Sequence, residues 1–412
     1  MLRNQKIICG LLGEHLTHSY SPQIHRELAD YPYTLFEMPL EEVASFLASD
    51  RFDAINVTIP YKKTVMPYLE EISDEAVRIG SVNTLTRTKN GGLRGDNTDY
   101  FGFSYMLDKS GIDVCGKKVL ILGSGGAQET ARTVCTDRGA SVIVISRRGE
   151  NNYDNLEKHR DASVIINTTP VGMFPHNGSA PLALTEFPRL SGVLDMIYNP
   201  EKTKLLLDAE RLGIPHLGGL SMLVAQAKLA AEIFTGQKID NAEIDRIVKS
   251  ITLEMNNIVL VGMAGCGKTT VGAALSALTG RELIDTDAMV KKTTGRTPAE
   301  IITANGEEAF RRIETACVTE AGKNSGKIIA TGGGVPTRPE NRDPLRQNAR
   351  IVFLHREPGA LDTSNRPLSQ AAGAEALYQK RLPLYQAIAD FTVDNNDTPE
   401  AVAKRILDHL NS

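Results

Sequence analysis

Apolar residues fall along this chain in short blocks, separated by stretches of helical spacing. Ile7-Ile8-Cys9-Gly10-Leu11-Leu12 is a near-continuous apolar run and predicts a buried strand. Tyr33 to Met38 and Ala54 to Thr58 predict two more, with helix-compatible residues between them. Strand alternating with helix predicts an open α/β sheet. A second unit starts at Val119-Leu120-Ile121-Leu122, ends that strand in Gly123-Ser124-Gly125-Gly126-Ala127 and runs on into a helical pattern. Further strands are predicted at 141–145 and 163–166. This is the βαβ pattern of a dinucleotide-binding unit. From about 221 to 250 the period becomes helical, with Met222, Leu223, Ala225, Leu229 and Ile233 on one face. Leu253-Glu254-Met255-Asn256-Asn257 is largely polar and predicts a boundary with a short linker. A last unit opens on the apolar run Ile258-Val259-Leu260-Val261.

Length and charge narrow the picture. A chain of 412 residues holds two or three domains. A hydrophobic share of 41% and a charged share of 23% belong to ordinary globular domains. The net charge of −4 leaves no basic excess for nucleic acid, so no nucleic-acid partner is expected. No apolar run is long enough to span a membrane. The five cysteines are scattered, without a C-x-x-C pair, which points to free thiols in a reducing cytoplasm rather than disulfides or zinc. The N-terminus does not read as a signal peptide. Nothing in the sequence defines an oligomeric state.

The strongest chemical signal is Gly262-Met263-Ala264-Gly265-Cys266-Gly267-Lys268-Thr269, a complete G-x-x-x-x-G-K-S/T loop between a predicted strand and a predicted helix. Gly262, Gly265 and Gly267 let backbone N–H groups close around phosphate oxygens, and the helix N-terminus adds a favourable field. Lys268 reaches the β- and γ-phosphates, and Thr269, followed by Thr270, offers a hydroxyl to Mg²⁺. Downstream, Asp285-Thr286-Asp287 follows the apolar Leu283-Ile284. At a strand end the two carboxylates are expected to serve different sides, one a metal and one an acceptor. Arg311 and Glu314 are spaced to pair on a helix, and Gly332-Gly333-Gly334 after a strand lets a ligand approach the backbone.

The first half carries its own constellations. Ser19 and Ser21, beside Pro22, place two hydroxyl donors ahead of a helix, suited to a carboxylate. Lys62 closes the string Asn56-Val57-Thr58-Ile59-Pro60-Tyr61-Lys62 just past a buried strand. Asp99, in Gly95-Asp96-Asn97-Thr98-Asp99, is placed to hold its ammonium where a carbonyl oxygen takes up a proton. The nucleotide unit ends its second strand in Ser146-Arg147-Arg148 where an NAD site usually has an acidic residue. Paired guanidiniums suit a 2′-phosphate, so NADP is favoured over NAD.

Taken in order, these strings resemble two families. From about residue 7 to 250 the chain resembles shikimate dehydrogenase. The matches are S-x-S-P at 19–22, N-V-T-x-P-x-K at 56–62, V-N-T at 82–84, G-D-N-T-D at 95–99 and G-x-G-G-A at 123–127, then Asn167-Thr168-Thr169-Pro170, Asp195 to Pro200 and Met222 to Gln226. The resemblance implies NADPH-dependent reduction of 3-dehydroshikimate to shikimate, with Lys62 and Asp99 as the catalytic pair. It further implies that Ser19 and Ser21 hold the substrate carboxylate, with Tyr198 nearby, and that Thr58, Asn83, Asp99 and Gln226 bind ring hydroxyls. Gly123, Gly125, Gly126, Ala127, Ser146, Arg147 and Arg148 would hold NADP. Gln128-Glu129 stand where that family more often has small and basic residues.

Over 257–412 the chain resembles shikimate kinase, by the phosphate loop, D-T-D at 285–287, G-E-x-x-F-R-x-x-E at 306–314, G-G-G at 332–334, R-P-L at 366–368 and K-R-x-P-L-Y at 380–385. The resemblance implies phosphorylation of shikimate at its 3-hydroxyl by ATP with Mg²⁺. Asp285 would support the metal through water and Asp287 would orient the substrate hydroxyl as the candidate base. Arg311, Arg381 and backbone at Gly333 would grip the carboxylate, Glu314 would brace Arg311, and Arg366 would act from a lid. Between Leu354 and Arg366 the lid is shorter than usual and lacks its upstream arginine. The implied architecture is an open α/β substrate domain (1–102 and 220–252), a Rossmann-type NADP domain (103–219) and a P-loop kinase α/β domain with a parallel sheet (257–412). Two other readings stand beside this one: an NAD-linked quinate/shikimate dehydrogenase in the first half, and a metabolite-sensing regulator that reuses both folds without turnover.

Overall fold

The computed structural model describes residues 7–16, 19–361 and 373–411. The chain divides into two compact units. The first comprises Met1–Val171, Ala180–Tyr198 and Asp208–Ser250; the second comprises Gly172–Ser179, Asn199–Leu207 and Ile251–Ser412.

The first unit holds two sheets. Strands β1 (Cys9–Gly13), β2 (Tyr33–Glu37), β3 (Ala54–Val57), β4 (Glu71–Ile72), β5 (Thr84–Arg87) and β6 (Leu93–Asp96) form a six-stranded sheet in the order β2-β1-β3-β5-β6-β4. β1 pairs in parallel with β2 and β3, and β5 runs antiparallel to both β3 and β6. The apolar faces of these strands meet in a core that includes Leu12, Phe36, Ile55, Val57 and Leu85. Strands β7 (Lys118–Leu122), β8 (Ser141–Ile145), β9 (Val164–Asn167), β10 (Gly192–Asp195) and β11 (His216–Gly218) form an all-parallel sheet in the order β11-β10-β9-β7-β8. Its strands are near-continuous apolar runs because helices cover both faces of such a sheet. The helices Asp99–Ser110 and Leu220–Thr235 cross closely. Gly102 permits this, since a Cβ there would lie 2.8 Å from the Met222 carbonyl oxygen.

The second unit carries β12 (Asn257–Val261), β13 (Leu283–Asp285), β14 (Ile328–Ala330), β15 (Ala349–His355) and β16 (Phe391–Asp394), all parallel, in the order β13-β14-β12-β15-β16. β12 is central and fully buried, which places the loop that follows it at the C-terminal edge of the sheet, where open α/β sheets bind ligands. The segments 172–179 and 199–207 join this unit through hydrogen bonds such as Lys202 N to Gln347 O at 2.8 Å and Asn177 Nδ2 to Gln347 Oε1 at 3.0 Å. The polar stretch at 253–257 is less of a linker than its composition predicts. The helix Ala242–Met255 runs to within one residue of β12, with Asn256 alone between them.

Candidate active sites

In the first unit, Lys62 lies a few residues past β3 and Asp99 is the first residue of the helix Asp99–Ser110. Their side chains meet, with Lys62 Nζ donating to Asp99 Oδ2 at 2.5 Å. Asp99 is nearly buried, and its backbone N–H donates to Asn97 Oδ1 at 3.1 Å, which sets the start of the helix. The ammonium is thus held by one carboxylate while 23% of the lysine side chain stays accessible, as a proton donor to a ligand requires.

Behind this pair runs a buried hydrogen-bond network. Asn83 donates from Nδ2 to Thr98 Oγ1 at 3.0 Å, and its Oδ1 accepts from Thr98 N at 2.8 Å. Thr98 Oγ1 also donates to Gln226 Oε1 at 3.4 Å, so one hydroxyl joins two of the expected ring-binding residues. Asn56 donates to Thr84 Oγ1 at 3.3 Å and to the Asn83 carbonyl at 3.4 Å. Buried amides and hydroxyls satisfied in this way hold one orientation, because any other leaves a polar atom unpaired. Thr98 and Asn56 lie inside quoted motifs, yet their linking role has no sequence signature: it depends on partners on other elements, in the case of Gln226 128 residues from Thr98.

Ser19 Oγ accepts from Ser21 N at 3.2 Å, and Ser21 opens the helix Ser21–Leu28 with Pro22 in its first turn. Tyr198 packs edge-on against Tyr20, with ring centroids 6.0 Å apart, and burial pushes its phenol up, so it stays a neutral hydroxyl. Thr58 follows β3 directly, with its N–H bonded to the Leu12 carbonyl at 2.9 Å.

The nucleotide unit presents a cradle. Gly123 follows β7 directly at a φ of 128°, and a Cβ there would lie 2.4 Å from Thr168 Oγ1. Gly125 precedes the helix Gly126–Asp137, and a Cβ added at Gly125 or Gly126 would meet nothing within 4 Å. Open glycines at a helix N-terminus leave backbone N–H groups free for a pyrophosphate. Ala127 lies in the first turn. Ser146, Arg147 and Arg148 follow β8, with both arginines exposed, as contact with a 2′-phosphate requires. Gln128 is buried, and Glu129 pairs with Arg132 at 2.7 Å.

In the second unit the loop after β12 wraps on itself. Gly262, Gly265 and Gly267 adopt φ values of 150°, 83° and 97°, which only glycine tolerates readily. Lys268 is buried and donates to the carbonyls of Gly262 at 2.9 Å and Met263 at 2.8 Å. Thr269 and Thr270 follow in the first turn of the helix Lys268–Thr279. Thr269 Oγ1 donates to Asp285 Oδ2 at 2.7 Å, which brings together the two groups expected at Mg²⁺. Among the described residues no three His, Cys, Asp or Glu side chains converge. A hydroxyl and a carboxylate side by side, both oxygen donors, fit a hard ion such as Mg²⁺, which would take water and phosphate oxygens at its other positions.

Asp285 and Asp287 do not share a strand end: a strand would put residues two apart on one face, and a change of element parts them instead. Asp285 ends β13 and caps the helix Thr286–Thr294, with Oδ1 accepting from the N–H groups of Asp287 at 2.9 Å and Ala288 at 3.1 Å. Asp287 lies in the first helical turn, so capping rather than strand pleat separates the two carboxylates. Asp287 and Glu314 both border Gly332: a Cβ there would lie 2.9 Å from Asp287 Oδ1 and 2.3 Å from Glu314 Oε1. Arg311 Nη1 donates to Glu314 Oε2 at 2.6 Å, and a Cβ at Gly334 would strike the Arg311 guanidinium. Burial works against the Arg311 charge, but Glu314 and Glu307 outweigh it and its pKa rises. Burial pushes the Glu314 carboxyl up, with Arg311 pulling the other way. Arg381 Nη1 donates to the Gly333 carbonyl at 3.2 Å, and Tyr385 Oη to the same oxygen at 2.5 Å. Asp287, Arg311, Glu314, Arg381 and Gly332 to Gly334 thus share one locality. Asn395, past β16, belongs to no motif in the sequence; its Nδ2 donates to the Cys266 carbonyl at 2.5 Å and braces the phosphate loop. Arg366 lies outside the described residues.

Comparison with known proteins agrees with both halves. The family model "Shikimate dehydrogenase substrate binding domain" matches residues 11–85, and "Shikimate kinase" matches residues 264–411. A shikimate dehydrogenase (NADP(+)) of Clostridium perfringens is 35% identical over 264 residues, which covers 59% of this chain and 97% of that protein. The crystal structure of shikimate dehydrogenase 1 from Peptoclostridium difficile aligns with a TM-score of 0.55 at 38% identity, over 60% of this chain and 98% of that one. A Thermus thermophilus shikimate 5-dehydrogenase, solved with NADP(H) and shikimate, aligns at 0.54 and 30% identity, over 59% and 98%. The chain belongs to the shikimate dehydrogenase family and carries a shikimate kinase domain behind its dehydrogenase half.

Proposed function

We propose that this chain catalyses two consecutive reactions: 3-dehydroshikimate, NADPH and a proton give shikimate and NADP⁺, and then shikimate and ATP give shikimate 3-phosphate and ADP. The observation that carries the first is the Lys62–Asp99 contact at 2.5 Å. The observation that carries the second is the phosphate loop with Thr269 on Asp285 at 2.7 Å. When bound, NADPH supplies the hydride, and ATP with Mg²⁺ supplies the phosphoryl group and neutralises its charge.

The chain's own residues do the rest. Lys62 gives a proton to the carbonyl oxygen as negative charge builds there, and Asp99 keeps the ammonium on that oxygen. Ser19 and Ser21 donate to the carboxylate, with Tyr198 close by. Thr58, Asn83, Asp99 and Gln226 hold the ring hydroxyls. Gly123, Gly125, Gly126 and Ala127 would hold the pyrophosphate, and Ser146, Arg147 and Arg148 the 2′-phosphate. In the kinase, Arg311 and Arg381 grip the carboxylate with Gly333, and Asp287 orients the attacking hydroxyl and takes its proton. Lys268 and Arg366 stabilise charge on the phosphoryl group, and Thr269 and Asp285 serve the metal. We assign the domains as 1–102 with 220–252 for dehydrogenase substrate, 103–219 for NADP and 257–412 for the kinase.

Two readings compete. An NAD-linked quinate/shikimate dehydrogenase would need an acidic residue where Arg147 and Arg148 stand, so turnover with NADPH against NADH separates it. A non-catalytic sensor would have no use for the Lys62–Asp99 pair. One coupled assay, with 3-dehydroshikimate, NADPH and ATP–Mg²⁺, tests the whole reading; shikimate 3-phosphate is the expected product, and binding without product would favour the sensor. All five cysteines are free thiols, four of them buried, and no helix among the described residues is long and apolar enough to cross a membrane. We place the enzyme in the cytoplasm.

A further inference from the structure

Arg381 and Tyr385 lie one turn apart on the helix Ala374–Ile388 and so share a face. Both reach one atom, the Gly333 carbonyl oxygen, Tyr385 Oη at 2.5 Å and Arg381 Nη1 at 3.2 Å. A carbonyl oxygen has two lone pairs and can accept from both. The phenol has a single proton, which goes to this oxygen; Met263 Sδ, 3.5 Å from the same hydroxyl, is a packing neighbour. The Arg381 fork keeps further N–H groups for a ligand. The tyrosine ring is fixed as well. It is fully buried and stacks on Phe353 of β15, with centroids 5.1 Å apart and planes 15° apart. Burial pushes the phenol above its ordinary range, so it stays an O–H donor.

The peptide that these two side chains hold is confined on its other sides. A Cβ at Gly333 would lie 2.6 Å from Ala264 N, so Gly333 packs on the phosphate loop, and a Cβ at Gly334 would strike the Arg311 guanidinium. The peptide unit is planar, so a fixed Gly333 carbonyl also fixes the direction of the Gly334 N–H. The phosphate loop and both arginines of the proposed carboxylate grip thus meet at one peptide. Without the phenol, Arg381 alone would have to satisfy the Gly333 carbonyl and would be drawn toward it, away from a ligand. We infer that Tyr385 is a positioning residue of the kinase site: its hydroxyl holds the Gly333 peptide in place and leaves Arg381 free to face the acceptor carboxylate. This rests on the proposed carboxylate grip of Arg311, Arg381 and Gly333.

Tyr385→Phe keeps the ring on Phe353 and deletes only the hydroxyl. In the full-length protein it should raise the KM for shikimate about fivefold, the scale of one neutral hydrogen bond, and leave kcat and the KM for ATP within about twofold. Dehydrogenase turnover in the same preparation should not change. Arg381→Ala, which removes the grip itself, should raise the KM for shikimate more than Tyr385→Phe does. An unchanged KM in Tyr385→Phe, with Arg381→Ala impaired, overturns the inference alone. A shift of kcat or of the KM for ATP beyond about twofold in Tyr385→Phe also overturns it, as it marks loosening of the phosphate loop or of the fold. If Arg381→Ala itself leaves the KM for shikimate unchanged, the carboxylate reading fails and the inference goes with it.

Discussion

Lys62 and Lys268 are both held by short hydrogen bonds, but their partners differ in kind. Lys62 rests on a carboxylate at 2.5 Å; Lys268 rests on two backbone carbonyls at 2.8 and 2.9 Å. A full negative charge keeps an ammonium beside one atom, which suits a group that must deliver a proton there. Carbonyl dipoles neutralise no net charge, so the Lys268 ammonium keeps its positive field for phosphate oxygens. The proposed carboxylate grips differ in the same way. Ser19 and Ser21 offer neutral hydroxyls at a helix start, with Ser19 Oγ accepting from the Ser21 N–H at 3.2 Å. Arg311 and Arg381 offer guanidiniums, and Arg311 is already balanced by Glu314 at 2.6 Å. For one small hydroxylated acid, the first unit relies on orientation and the second on charge.

The largest expected effects break one side of this comparison outright. Lys62→Ala should lower dehydrogenase turnover by roughly 10²–10⁴ and leave kinase turnover nearly unchanged. Lys268→Ala, or chelation of Mg²⁺, should do the reverse, with loss of kinase activity alone. Separate assays on one preparation check both; joint loss in either variant would refute independent sites. Glu314→Ala comes next. It leaves the Arg311 guanidinium, 6% exposed, without the carboxylate that is 1% exposed, and breaking a buried pair costs about 3–5 kcal/mol. Denaturant unfolding of the second unit should show it, along with a raised KM for shikimate in the kinase assay. A change under about 1 kcal/mol would mean that Glu307, at 2.9 Å, already balances Arg311.

Replacing both Arg147 and Arg148 by Ala should cut the preference for NADPH over NADH by about tenfold or more, the scale of lost charge-assisted hydrogen bonds, with kcat little changed. The smallest effect concerns pH. Burial lowers the His25 pKa to about 3. Below about 6.5 the unfolded chain binds a proton there and the folded chain does not until about 3, so stability falls as pH falls through that window. Between pH 6.5 and 5 the loss is at most about 2 kcal/mol, read from denaturation midpoints of the first unit. A His25→Gln variant should flatten that part of the profile.

Much of this was legible in the order of residues. Strand–glycine–helix strings located both nucleotide loops, because a backbone that must wrap phosphate needs positive φ at set positions and glycine supplies it. The spacing of Arg311 and Glu314 announced an ion pair, because helical geometry puts such residues side by side. Asp285 and Asp287 were legible only in part: Asp285 does end a strand, but a helix starts directly behind it and carries Asp287. The low-polarity core strands were equally plain.

Tertiary structure alone decided what lies behind these groups. Nothing about Thr98 announces that it joins Asn83 to Gln226, nor about Asn395 that it braces the loop at Cys266, nor about Tyr33 that it reaches Asn56. Local sequence dictates which side chains a turn or a helix presents. Which distant partner satisfies a buried hydroxyl or amide is set only when sheets and helices close on one another, since until then water satisfies them all equally well.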